Sequence, residues 1–149
     1  MMLEVKLPGV KALERSRQNA AGKRFDSKEN EDNKKKIAHA FKEEAFKEGI
    51  KLPINPGLCG YRISIHAWYA IPQRTTQRER DLISKYSKLP QVKPDIDNVA
   101  KLWLDALVQG GIITDDKCVT ALTGLKYYAD GCEPATSCSI IWEEDHEQG

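Results

Sequence analysis

The sequence predicts a small α+β domain, with a mixed or antiparallel sheet of about four strands and two main helices. Three observations lead there. A chain of 149 residues suits one domain and is short for two. Apolar residues alternate in several short runs and recur at helical spacing in two longer ones. No internal repeat or linker divides the chain, so residues 1–149 read as a single domain.

Residues 3–7 (LEVKL) alternate apolar and polar as a first strand, stopped by Pro8 and Gly9. Residues 11–33 are polar and carry Arg15, Arg17, Lys23 and Arg24, in a loop or short strand around Gly22. From Glu31 to Glu48, Ile37, Ala40, Phe41, Ala45 and Phe46 form a helical stripe, and Gly49 is a fitting terminator. Tyr61 to Ile71 is the clearest strand: Tyr61, Ile63, Ile65 and Ala67 face one way, Arg62, Ser64, His66 and Trp68 the other. His39 and His66 have no Cys or His partner nearby and read as surface or packing residues. Residues 73–92 place Arg74, Arg78, Arg80, Lys85 and Lys88 around Leu82, Ile83 and Tyr86, as a short basic helix between loops.

Pro94 disfavours helix at Lys93, so the approach to Asp95 is extended. Asp97 is the expected N-cap of a helix over 97–109 whose buried stripe is Ile96, Val99, Ala100, Trp103, Leu104 and Leu107. Gly110 and Gly111 end it, and Ile112-Ile113 leads on as a short extended segment to Thr114, Asp115 and Asp116. Val119 to Tyr128 and Ala135 to Trp142 are the last strands, read as a hairpin with a long connection, before a frayed acidic tail.

Composition removes some function classes. No window approaches the ~18 consecutive apolar residues of a membrane span, and MMLEVKLPGV lacks the layout of a secretory signal. The expected location is the cytoplasm. Cys59, Cys118, Cys132 and Cys138 form no CxxC pair, which argues against zinc and for reduced thiols. A net charge of +1 conceals an asymmetry: residues 1–94 carry 20 Lys+Arg and 11 Asp+Glu (+9), residues 95–149 carry 3 and 11 (−8). A basic part suits phosphates and an acidic part suits metal, unless the two neutralise each other as solvated faces.

The acidic part is organised by residues 93–119, KPDIDNVAKLWLDALVQGGIITDDKCV. Asp95 and Asp97 open it, Asp115 and Asp116 close it, and one amphipathic helix lies between. A compact fold can bring carboxylates from both ends to one pocket, as hard divalent ions require. Lys101 lies four residues from both Asp97 and Asp105, on their face of the helix. A DxD pair alone is weak: it occurs in calcium loops, glycosyltransferases and aspartyl-phosphate phosphatases. The remaining ligands of a calcium loop are missing, and VKP rather than a buried strand precedes Asp95. The plain alternative makes Asp97 a helix cap and Asp115 or Asp116 turn residues.

The whole unit is more specific. KPDIDNVAKLWLDAL, then VQGGIIT, then DDKCV resembles the RusA-type Holliday-junction resolvases of bacteria and phages, without a gap. Softer similarities are Leu7-Pro8, KRFDSKENE before the first helix, and Lys126 in KYY; residues 9–24 depart from the family's usual approach to that helix. The resemblance implies a RusA-like fold and a homodimer that binds four-way DNA junctions and nicks two opposed strands with Mg²⁺ or Mn²⁺. It makes Asp95, Asp97 and Asp116 the catalytic, metal-holding carboxylates and Lys101 the essential lysine, with Asp105 and Asp115 in support. Lys101 has a plainer alternative, a salt bridge with Asp97 or Asp105. Arg15, Arg17, Lys23, Arg24, Arg74, Arg78 and Arg80 are the candidates for a DNA-contacting surround. Two competing functions are a metal-dependent phosphohydrolase acting on other phosphate esters and a junction-binding protein without turnover.

Overall fold

The computed structural model describes residues 1–14, 17, 18, 22, 24, 25 and 27–144. In chain order it contains β1 (Met2–Pro8), β2 (Arg17–Gln18), β3 (Arg24–Phe25), α1 (Lys28–Glu48), β4 (Tyr61–Tyr69), α2 (Gln77–Ser84) and α3 (Ile96–Gln109). A 3-10 turn (Asp116–Cys118), β5 (Val119–Tyr128) and β6 (Ala135–Ile141) follow. Four strands form a mixed sheet in the order β1-β6-β4-β5, while β2 and β3 make a two-stranded ribbon of their own. The α+β architecture expected from the sequence is present, with the short basic helix as a third helix. Among the described residues no helix is long and apolar enough to cross a membrane.

Burial explains the strand order. β6 is buried along nearly its whole length and lies inside the sheet, antiparallel to both β1 and β4. β5 is exposed along most of its length and forms an edge, parallel to β4. The expected β5–β6 hairpin is therefore corrected, because β4 lies between the two strands. A parallel β4–β5 pair needs a crossover connection, and α3 is part of it.

Leu3, Val5, Ile63, Ile65, Cys138 and Ile140 from the sheet close one core with Ile37, Phe41, Val99, Leu102, Trp103 and Leu107 from α1 and α3. Each large side chain fully buried there contributes about 1.5–3 kcal/mol. Trp103 meets Phe41 edge-on at 6.2 Å between ring centroids, which locks α3 to α1. Phe46, read as part of the α1 stripe, is instead 88% exposed: it follows Ala45 by one residue and rotates off the buried face. Ser27 caps α1 by accepting from the Asn30 amide at 3.0 Å, and Gly49 ends it in the left-handed region at φ 68°. Asn30 is fully buried because its side-chain amide exchanges two hydrogen bonds with the Glu14 backbone.

α1 and α3 pack on the core face of the sheet, and Tyr86, just past α2, meets Tyr127 edge-on from the opposite face. That opposite face carries Glu4, Lys6, Arg62, Ser64, His66, Trp68, Leu125 and Tyr127 by strand alternation. His66, Trp68 and Tyr127 stack there with centroids 5.6–5.9 Å apart, and the Lys6 ammonium lies 5.0 Å from the Trp68 ring. His66 and His39 are packing and surface residues, as expected; His39 pairs with Glu43 at 3.0 Å. The four cysteines are free, and burial raises the pKa of the Cys138 thiol.

Gly124 sets how closely α3 approaches the sheet. A Cβ there would sit 2.8 Å from Cγ1 of Ile96, at the start of the helix. Gly124→Ala should therefore cost about 1–3 kcal/mol of stability by overpacking. Chemical denaturation checks this, and Ile96→Ala in the same chain should recover part of the loss. Additive single and double variants would show that the two positions do not press on each other.

Candidate functional site

The acidic unit folds as one helix with a carboxylate pair at each end. The helix begins one residue earlier than expected: Asp95 is the N-cap, extended at φ −68° and ψ 142°, and Asp97 lies in the first turn. Ile96 is half-buried against Gly124, and that packing draws it into the helix. The Asp95 side chain makes no capping hydrogen bond, so its oxygens are not consumed by the helix end. Both carboxylates are exposed at the positive end of the helix dipole, a favourable place for negative charge.

Along α3, Asp97, Lys101 and Asp105 follow at four-residue spacing on the side away from the core. Lys101 is exposed, and among the described residues it joins no ion pair. Asp105 pairs instead with Lys34 of α1 at 3.9 Å. The Lys34 side chain is 5% exposed, a buried cation reaching the acidic side of α3. Lys34, Lys35 and Lys42 line a groove between α1 and α3 together with Gln109.

The second pair is set by apolar anchors. Ile112 and Ile113 are fully buried in a turn rather than a strand, and both amides donate to the Leu107 carbonyl. The turn wins because those carbonyl contacts close the end of α3 while both side chains reach the core. The Tyr61 hydroxyl then donates to the Ile54 carbonyl and accepts from the Thr114 amide at 3.1 Å. Asp115 caps the 3-10 turn by accepting from the Lys117 amide at 3.1 Å.

Asp115 and Asp116 share a hydrogen bond and divide the consequences. The Lys117 amide, then the Asp116 hydrogen bond, hold the Asp115 carboxyl below the usual carboxylate range. The Asp115 hydrogen bond and charge hold Asp116 above it, with a smaller push from Asp105. Asp116 therefore feels both Asp115 and Asp105 as like charges, and such clusters suit a hard divalent cation. Among the described residues, no three carboxylates, thiols or imidazoles are gathered closely enough to hold a metal ion. The eight residues from Asp97 to Asp105 advance about 12 Å along the helix, which spaces the two acidic ends. The donors fit Mg²⁺ in kind, all exposed or half-exposed carboxylate oxygens, without being assembled around one point.

The basic candidates divide. Arg78 and Arg80 are exposed on α2, and Arg74 is exposed on the loop before it. Arg15 and Lys23 lie outside the described residues, as do the side chains of Arg17 and Arg24, whose backbones form the β2–β3 ribbon. Sequence reasoning passed over Tyr61, Tyr69 and Lys34. Their signal was faint: two tyrosines bounding an alternating strand, and a lysine at core spacing on α1.

The opposed carboxyls have a stability signature. A raised pKa means that the fold disfavours ionised Asp116, so above its ordinary pKa this group subtracts from stability. Asp115, lowered, adds stability above its ordinary pKa and loses it as pH falls through the folded value. At neutral pH in chelator, Asp116→Asn should melt above the parent and Asp115→Ala below it. A lower melting temperature for Asp116→Asn in calorimetry would contradict the assignment.

The family model described as Endodeoxyribonuclease RusA matches residues 8–140. No curated protein matches the chain.

Proposed function

The chain belongs to the RusA endodeoxyribonuclease family, hydrolases that act on DNA crossover junctions, and we propose that it resolves four-way junctions by paired nicks, as a homodimer using Mg²⁺ or Mn²⁺. The observation that carries this is the span of the family match, which takes in α1 to α3, β4, β5, nearly all of β6 and both acidic pairs.

Asp95, Asp97 and Asp116 would hold the metal, two of them at the start of α3 and one in the turn that follows it. Bound there, a divalent ion supplies Lewis acidity and lowers the pKa of water. The remaining work falls to side chains of this chain. Lys101 faces the scissile phosphate from the shared face of α3 and offsets charge growing on its oxygens. Asp105 and Asp115 support from behind, one tied to Lys34 and the other to the Lys117 amide. Asp116, the more easily protonated of the adjacent pair, is the one whose repulsion a cation relieves most.

A negative site must still attract DNA. The basic surround assigned to Arg15, Arg17, Lys23, Arg24, Arg74, Arg78 and Arg80 answers that need, and Lys35 and Lys42 extend it along α1. Two-fold symmetry of the dimer matches the two-fold symmetry of a junction, so two sites meet two opposed strands. The sheet face opposite the core, with Trp68, Tyr127 and Leu125, offers a surface for the second copy.

The test is cleavage of a synthetic four-way junction beside a linear duplex of equal length, with Mg²⁺, Mn²⁺ or chelator. Symmetric nicks on the junction alone, abolished by chelator and by Asp97→Asn while binding persists, are expected. Cutting that ignores branching would point to a general nuclease; binding without cutting in any metal would leave a junction-binding protein. Junction affinity should fall steeply with salt, with a log–log slope of about −0.9 per phosphate neutralised.

A further inference from the structure

Asp95 follows a stretch of backbone, residues 91–95, that belongs to no helix or strand. Left to itself such a segment samples many conformations, and a carboxylate at its end would do the same. Two side chains from the sheet hold it. The Lys126 ammonium donates to the Val92 carbonyl at 2.7 Å. The Tyr69 hydroxyl donates to the Pro94 carbonyl.

The two holders are also tied to each other. Tyr69 ends β4 and pairs with Tyr128, while Lys126 pairs with Ala67, so both side chains rise from the same face of the sheet. The Lys126 ammonium lies 4.7 Å from the centroid of the Tyr69 ring, within cation–π range. Tyr69 is only 5% exposed, so its ring is a fixed post. Burial, then the charge of Asp95, push the Tyr69 pKa up to about 12, which keeps the hydroxyl a donor across the working pH range.

We propose that Tyr69 and Lys126 clamp the Val92–Pro94 backbone and thereby position Asp95 for metal binding and strand cleavage. Both are positioning residues: they hold carbonyls of the chain. The functional half of this inference rests on the proposed resolvase reading, whereas the clamp itself stands on geometry. A different role for Lys126, a direct DNA phosphate contact, makes opposite predictions.

The variants are Tyr69→Phe, Lys126→Met, Lys126→Arg and the Tyr69→Phe, Lys126→Met pair, in the full chain. Hydrogen exchange over residues 91–98 reads the clamp without DNA or metal. Exchange should quicken in Tyr69→Phe and Lys126→Met; unchanged exchange would overturn the clamp whatever the enzyme cleaves. Calorimetric titration with Mn²⁺ should show weaker binding in both. Single-turnover cleavage of a bound junction should slow roughly ten- to hundredfold, the scale of a misplaced catalytic group. Junction Kd in chelator and its salt slope should stay at parental values, and the paired variant should be little worse than the weaker single one. Lys126→Arg, which keeps a donor and a cation, should recover part of the rate. A raised Kd and a salt slope smaller by about one in Lys126→Met, with the bound-state rate intact, would make Lys126 a phosphate contact instead. If the parent cleaves no junction while exchange still responds, the resolvase reading falls and the clamp survives.

Discussion

The burial of α3 against α1 and β5 is the constraint on which the rest of the structure depends. Val99, Leu102, Trp103, Ala106 and Leu107 are almost wholly inaccessible, so the helix has one rotation about its axis. That rotation turns Asp97, Lys101 and Asp105 outward as a row. The close approach of Ile96 to Gly124 fixes the first end, and buried Ile112 and Ile113 fix the chain just past the second. No hydrogen bond to a carboxylate is needed to aim the row, because packing aims it.

The acidic row works against folding as it serves chemistry. Asp115 and Asp105 both act as like charges on Asp116, and the strain falls there. Lys34 answers part of it from a nearly buried position. A cation there and well-made cores elsewhere let the domain carry charges that a site built for stability alone would omit. The partial burial of compensating charge also bears on the sequence's charge asymmetry. At least one lysine of the basic part folds onto the acidic part, so the two parts are not independent lobes.

Legibility followed the range of the interaction. The C-terminal ends of α1 and α3, the β4 alternation and the acidic motif are local patterns, and each was readable from its own residues, whereas α1 starts at Lys28 rather than the expected Glu31. Strand pairing was not: β5 and β6 are neighbours in sequence, and only their different burial reveals that β4 separates them. Asp97 was misread as the cap because Asp and helix starts go together, while the packing of Ile96, invisible in sequence, moved the boundary back. The family resemblance singled out the carboxylates as candidates. It said nothing of what supports them, since Tyr61, Tyr69 and Lys34 act through contacts across 25 to 71 positions.

That support has one consistent form. Tyr61 and Tyr69 are the first and last residues of the central strand, and each hydroxyl binds main chain next to one acidic pair. Their eight-residue separation spans about 26 Å of strand, so one rigid strand registers both ends of the unit. Lys126 and the Ile112–Ile113 anchor likewise act on or through backbone. A carboxylate that must bind metal cannot also be held by its own oxygens without competition between the two tasks. Gripping the carbonyls and amides beside Asp95 and Asp115 avoids that competition. Asp115, whose oxygen does accept from an amide, is accordingly the member of its pair already committed to structure, while the proposed site draws on Asp116.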